Sequence, residues 1–295
     1  MTPGRAGGRP PRPSHPTRPE PVLTTPFIDL RATHNTHRWY LPLEETLCVG
    51  PAGRRFMFGG VGMGAAIAAM ERTTGRPAIW ATAQYLSFAR PGSVVDIDVR
   101  VPAHGKTVSQ ARVIAHVGDK EILTVNAALG ERSGGERRQW VQPPAVPPPA
   151  DCPETSRWPG QDDGLHGQFE VRIASGADTG AGDGPSVDGR RVIWIRPRAG
   201  GAIDSVMLAI MADHVPSGAG AALGRDAGGN SLDNTIRFLD PEPTEWVLGD
   251  ITIIAAANGF AHGAIRLFAE SGRLLATASQ SMILRYRDER PQGAP

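Results

Sequence analysis

The sequence predicts an α+β protein built from two tandem units, each a long buried helix followed by an antiparallel sheet. Three observations carry this. The first is an apolar segment rich in Gly and Ala, Gly59 to Arg72, followed by four strand-like runs with no helix between them. Without intervening helices there are no crossovers, so the strands must pair antiparallel. The second is a repeat: His104-Gly105 meets Asn258-Gly259 and Gly118 meets Gly272, both at an offset of 154 residues. Phe88-Ala89-Arg90-Pro91 meets Phe238-Leu239-Asp240-Pro241 at 150, and Gly60–Met70 faces Gly201–Met211 at 141. Drifting offsets indicate loops of unequal length on one scaffold. The third is the regular spacing of turn signals between the runs.

Each element has a local reason. Residues 1–26 hold eight prolines with Arg and Gly and no apolar core segment, which predicts a disordered leader and not a secretory signal. The first unit, 27–130, opens with short strand-like runs at His37–Pro42 and Glu45–Val49. Gly59-Gly60 then starts a helix that is apolar nearly all round and so meant for burial on most faces, with Gly75 as its C-cap. Strands are predicted at Ile79–Phe88, Ser93–Val101, Thr107–His116 and Glu121–Leu129. A Pro-rich linker, 131–164, should form an extended spacer. The second unit, 165–288, begins with Gln168–Ile173 and Arg191–Arg196 around a Gly/Asp/Ser-rich loop (174–190) expected to be mobile. Its helix is predicted from Ile203 to Asp213 and its strands at Ser231–Phe238, Trp246–Ala257, Ala261–Ala269 and Leu274–Tyr286. A tail of 289–295 closes the chain.

Composition excludes several function classes. Thirty-one basic against 30 acidic residues leave a formal charge of +1, which offers no electrostatic footing for nucleic acid or an anionic membrane. No uninterrupted apolar run reaches the ~18 residues of a membrane span. Cys48 and Cys152 are the only cysteines, so a disulfide framework is not expected and a cytoplasmic location is the default.

Comparison of the two units directs attention to the second. Aligned by offset, Ser231 faces Ala81, Gln280 faces Asn126, and Asp213 faces Arg72, or Glu71 with a slip of one residue. A carboxylate, a hydroxyl and an amide suit hydrolysis by an activated water: the carboxylate takes the proton and the other two hold the water in line. An Asp at a helix C-terminus also feels the negative end of the dipole, which raises its pKa. Backbone donors for an oxyanion are available at Gly59-Gly60 or Gly200-Gly201. An Asp that closes a helix and a Ser at a strand boundary serve equally as turn residues. Gln280, on a face shared with Met282 and Leu284, needs a hydrogen-bond partner whatever its role.

At these residues the chain resembles the acyl-CoA thioesterase II family of double-hotdog enzymes. The resemblance runs through Phe58-Gly59-Gly60, Tyr85-Leu86-Ser87-Phe88-Ala89-Arg90-Pro91-Gly92, Leu232-Asp233-Asn234-Thr235-Ile236-Arg237-Phe238, Glu245-Trp246-Val247-Leu248, Gly272-Arg273-Leu274-Leu275-Ala276 and Gln280-Ser281-Met282-Ile283-Leu284-Arg285. It implies two hotdog units joined through their sheets, and attack of water on a fatty acyl-CoA thioester by way of Asp213, Ser231 and Gln280, with no cofactor. Asn234 and Leu239 stand where the family usually has His, and Ser281-Met282 replaces Glu-Gly, which bears on substrate preference and on the shape of the entrance. An acyl-CoA substrate and further association of double-hotdog protomers are the expected partnerships. A hotdog enoyl-CoA hydratase or dehydratase and a non-catalytic acyl-chain binding protein are the alternatives.

The remaining motifs read more plainly. Arg54 and Arg55 precede the first helix and could meet coenzyme A phosphates, although solvated charge is the simpler reading. His214 suits a pocket rim, since neighbours on a helix diverge by about 100° and it cannot act jointly with Asp213. His34 and His37 lack the acidic or Cys partners of a metal site. Gly59-Gly60-Val61-Gly62-Met63-Gly64 lacks the βαβ context of a nucleotide loop, and tight helix packing explains it better. No Gly-x-Ser-x-Gly elbow exists for a serine nucleophile.

Overall fold

The computed structural model describes residues 27–155, 163–176, 185–239 and 241–286. The expected leader and tail, part of the linker and the centre of the 174–190 loop lie outside the described residues. In chain order the first unit contains β1 (Arg31–Ala32), β2 (Arg38–Pro42), β3 (Cys48–Val49), β4 (Phe56–Met57), α1 (Gly59–Thr74), β5 (Ala78–Tyr85), β6 (Val94–His104), β7 (Val108–Val117) and β8 (Lys120–Gly130). The second contains β9 (Phe169–Ser175), β10 (Arg190–Pro197), α2 (Ser205–Ala212), α3 (Ser217–Leu223), β11 (Ala227–Ser231), β12 (Asp233–Phe238), β13 (Val247–Ala257), β14 (Phe260–Ala269) and β15 (Leu274–Tyr286).

Three elements differ from expectation. Glu45–Leu47 is a 3-10 turn closed by Leu47 N–H on the Glu44 carbonyl, leaving only Cys48–Val49 as strand. The second helix starts at Ser205, where Asp204 Oδ1 accepts from Met207 N–H at 2.9 Å. It stops at Ala212 and resumes as α3; Pro216, which has no N–H to continue the ladder, lies in the break. Together Ser205–Leu223 is long and apolar enough to cross a bilayer, but 72% of its most apolar stretch is buried inside the protein, as befits a core helix. Finally, the run Ser231–Phe238 is two strands. The pairing with β15 slips by one residue at Leu232, where Asp233 Oδ1 accepts from Ser281 N–H at 2.8 Å.

Twelve of the strands follow the order β1-β2-β6-β7-β8-β5-β12-β15-β14-β13-β10-β9 in one 13-stranded sheet, with β11 added on β15. The halves join at the antiparallel pair β5–β12, where Thr82 Oγ1 and Thr235 Oγ1 lie 2.7 Å apart. The helices pack against each other in antiparallel fashion. A methyl added at Gly60 would come within 2.8 Å of Ile210 Cα, and one at Gly64 within 3.0 Å of Val206 Cγ1. The Gly/Ala composition of α1 therefore lets two backbones approach closely, with every residue from Gly60 to Met70 buried. Gly75 ends α1 at φ 68°, and its N–H closes on the Glu71 carbonyl.

The described part of the linker does not stand free as a spacer. Gln139 Nε2 donates to the Gly272 carbonyl at 3.0 Å, and its Oε1 accepts from Leu274 N–H at 2.7 Å. Trp194 Nε1 donates to the Pro147 carbonyl at 3.0 Å, and Cys152 packs with Trp194, Trp246 and Phe268. Both cysteines are free thiols.

Candidate active site

The break between α2 and α3 and the slip between β11 and β12 bring Asp213, Ser231, Asn234 and Gln280 together beneath the first turn of α1. Asp213 caps α2 and is 3% exposed. Its Oδ2 accepts from Gly60 N–H at 2.7 Å. Its Oδ1 accepts from Ser231 Oγ and from Gln280 Nε2, each at 3.2 Å. Gln280 Nε2 also donates to Ser231 Oγ at 2.9 Å, and Asn234 Nδ2 donates to Gln280 Oε1 at 3.1 Å. The hydroxyl and the amide thus converge on one carboxylate oxygen, while the helix start holds the other.

Burial raises the Asp213 carboxyl to about 6, against the pull of its donors, Gly60 foremost. The dipole of its own helix, the expected cause, is not the main one. Desolvation comes first instead, and the N-terminus of α1 opposes it by favouring the anion. A carboxyl at about 6 is mostly ionised at neutral pH yet remains a usable base.

Other expected site residues fall differently. Gly60 N–H is committed to Asp213 and is not a spare oxyanion donor. Gly59 N–H, the first amide of α1, lies outside the helical ladder and keeps that role open. Gly200 and Gly201 form a positive-φ turn ahead of Asp204 and do not open α2. Arg55 is 5% exposed and ion-paired with Glu45, so it is not a surface charge; Arg54 is exposed on the same loop. His214 is not at a rim. It is buried against Phe58 and Phe169, with ring centroids 6.0 and 6.3 Å away. Its Nδ1 lies 3.2 Å from the Met211 carbonyl, and burial lowers its pKa to about 4.

The register corrects the matching of the two copies. Thr82 pairs with Asn126, Thr235 pairs with Ser279, and the two threonines pair across the junction. Asn126 therefore matches Ser279, both exposed, and buried Gln280 matches buried Ala127. Ala81 matches Asn234, both 0% exposed, and not Ser231. The slip at Leu232 has its twin at Ile79, which makes Ala78 the counterpart of Ser231. Glu71 is the counterpart of Asp213. It accepts from Ser205 Oγ, the first residue of α2, at 2.9 Å and from Ala78 N–H at 2.8 Å. The first copy thus keeps a partly buried carboxylate, with its pKa raised by desolvation. It has Ala78, Ala81 and Ala127 where the second has Ser231, Asn234 and Gln280. Constant offsets missed this because inserted loops shift the strands by different amounts.

Two site residues went unassigned from the sequence. Asn234 stands out in the sequence only as a departure from His; a polar residue on the buried face of β12 is the available signal. Tyr85 stands in the sequence as part of an aromatic strand motif, yet the end of its ring lies against Gly59. A methyl added at Gly59 would fall 2.7 Å from Asp213 Oδ2 and 3.0 Å from Tyr85 Cζ.

Comparison with known proteins agrees with this architecture. The acyl-CoA thioesterase N-terminal domain matches residues 50–130 and the acyl-CoA thioesterase C-terminal domain matches 149–284. A protein from Novosphingobium aromaticivorans, provisionally assigned as a thioesterase, is 35% identical with a TM-score of 0.78, covering 87% of this chain and 98% of its own. A hot dog fold protein from Alicyclobacillus acidocaldarius (19% identical, TM-score 0.75, coverage 87% and 95%) shares the fold. So does an acyl-CoA thioesterase II from Mycobacterium marinum (22%, 0.68, 89% and 98%). No curated protein matches in sequence. Fold and family match together define a double-hotdog protein of the thioesterase class. The chain belongs to the acyl-CoA thioesterase II family.

Proposed function

We propose that this protein hydrolyses fatty acyl-CoA thioesters to the free acid and coenzyme A, with Asp213 as general base. The observation that carries the reading is the convergence of Ser231 Oγ and Gln280 Nε2 on Asp213 Oδ1 in a buried site. A water held by these groups loses a proton to Asp213 as its oxygen bonds to the thioester carbon. The tetrahedral intermediate then collapses with cleavage of the C–S bond, and the departing thiolate takes the proton from Asp213. Ser231 and Gln280 orient the water and the carboxylate, and Asn234 holds the Gln280 amide in place. The one-sided distribution of polar groups favours a single site per chain. The hydratase alternative needs an Asp/His pair facing the acyl chain, whereas His214 packs away from Asp213 against aromatic rings.

The test is incubation with acyl-CoAs of graded chain length while free thiol is followed. Thiol release that Asp213→Asn abolishes is the expected result. Water addition to an enoyl-CoA without thiol release, or tight binding with neither reaction, would overturn the proposal.

A further inference from the structure

Building on the hydrolase reading above, we infer that Tyr85 is a further catalytic residue, its hydroxyl donating a hydrogen bond to the thioester carbonyl oxygen. Tyr85 ends β5 and belongs to the first unit, so the site of the second unit is completed across the junction. Its hydroxyl is buried and has no hydrogen-bond partner, although the ring as a whole is only half-buried. Buried hydroxyls are almost always paired, and one left over beside a reactive group points to a ligand atom. The backbone holds the ring in place, because Tyr85 N–H donates to the Leu232 carbonyl at 3.0 Å.

The location selects the role. Tyr85 Cζ and Asp213 Oδ2 both lie within 3.0 Å of one point beside Gly59, the residue whose amide opens α1. That point is too crowded for any added atom, so the end of the Tyr85 ring packs directly on the start of α1, and a thioester carbonyl reaching this turn would have two donors near it, the Gly59 amide and the Tyr85 hydroxyl. An oxyanion requires such preorganised donors where charge develops, with the base on the attacking water. The hydroxyl stays protonated there, since burial and the neighbouring Asp213 and Asp233 raise its pKa well above the ordinary range. It therefore donates a hydrogen bond without giving up its proton, and the proton balance of the reaction is unchanged. Leu86, the next residue in the chain, and Leu232, whose carbonyl accepts from Tyr85 N–H, are exposed apolar side chains. Asn234 Oδ1, likewise buried and unpartnered, is an acceptor and cannot fill this role.

Tyr85→Phe keeps the ring and removes the hydroxyl. The expected result is a fall in kcat of about 100-fold, the usual effect of losing one oxyanion donor, with KM changed little. Because the hydroxyl has no partner in the resting protein, the melting temperature should hold or rise. A second readout is the infrared carbonyl band of an acyl-CoA bound to the Asp213→Asn protein, which should shift to higher frequency when Tyr85→Phe is added. Wild-type-like kcat in Tyr85→Phe, a lowered melting temperature with kcat intact, or an unmoved carbonyl band would overturn the inference. Absence of hydrolysis by the wild-type protein would instead overturn the underlying function, and this role with it.

Discussion

Replacing Asp213 by Asn separates what the carboxylate does for the reaction from what its burial costs the fold. Burial takes the carboxyl from 3.8 to about 6. That difference corresponds to about 3 kcal/mol of preference for the protonated form in the folded protein. The folded pKa lies above the unfolded one, so the folded state binds the proton more tightly across that window. Stability contributed by this group is therefore greatest below pH 3.8 and declines as pH rises through about 6, above which the penalty is complete. The amide of Asp213→Asn carries no such penalty at any pH. Its altered bonds to Gly60, Ser231 and Gln280 cost a similar amount at every pH, so the pH-dependent part isolates the buried charge. Denaturant unfolding at acid and neutral pH should show the variant gaining up to about 3 kcal/mol on the wild type as pH rises. Over the same range, wild-type kcat/KM should rise about tenfold per pH unit below the carboxyl pKa and then level off, while the variant loses a factor of about 100 to 10,000. Stability curves that stay parallel from acid to neutral pH would refute the assignment of a buried, high-pKa carboxyl. A wild-type rate without an inflection in this range would refute its role as base.

Other perturbations test neighbouring parts of the site. Gln280→Ala leaves Asn234 Nδ2 buried without its acceptor and should cost about 1–3 kcal/mol in urea unfolding as well as lowering kcat. Ser231→Ala should lower kcat in thiol-release assays with little effect on the melting temperature, because Ser231 is only partly buried. Gly60→Ala sets a methyl 2.8 Å from Ile210 Cα and should cost about 1–3 kcal/mol in thermal unfolding; a neutral result would contradict the close helix contact. Arg54→Ala should raise KM for acyl-CoA without changing stability, since Arg54 is exposed beside the start of α1. Removing Arg55 should instead lower the melting temperature, because it takes away a buried side chain and the packing along its stem, while its partner Glu45 is left exposed to water.

Much of this protein was legible in the sequence because the deciding forces act locally. Alternation of apolar and polar residues with tight turns located the long strands β6, β7, β8, β13, β14 and β15 to within a few residues. The Gly/Ala run of α1 revealed a helix meant for full burial, and the two units revealed themselves as copies. Asp213, Ser231 and Gln280 could be singled out because a buried strand amide needs a partner and the residue types suit water activation. Tertiary structure alone decided how these groups meet. Gly60 and Asp213 are bonded across a gap of 153 residues, which local pattern does not encode. Sheet register, set by paired strands and by the twin slips at Ile79 and Leu232, matched Ser231 with Ala78 and Gln280 with Ala127. Constant sequence offsets could not do this once loops had changed length. Long-range packing turned Glu71 into the counterpart of Asp213, assigned the Gly60 amide to a carboxylate, and left Tyr85 from the other unit beside Gly59. Sequence thus determined the elements and the kinds of chemistry available, while long-range packing determined which groups share one buried site.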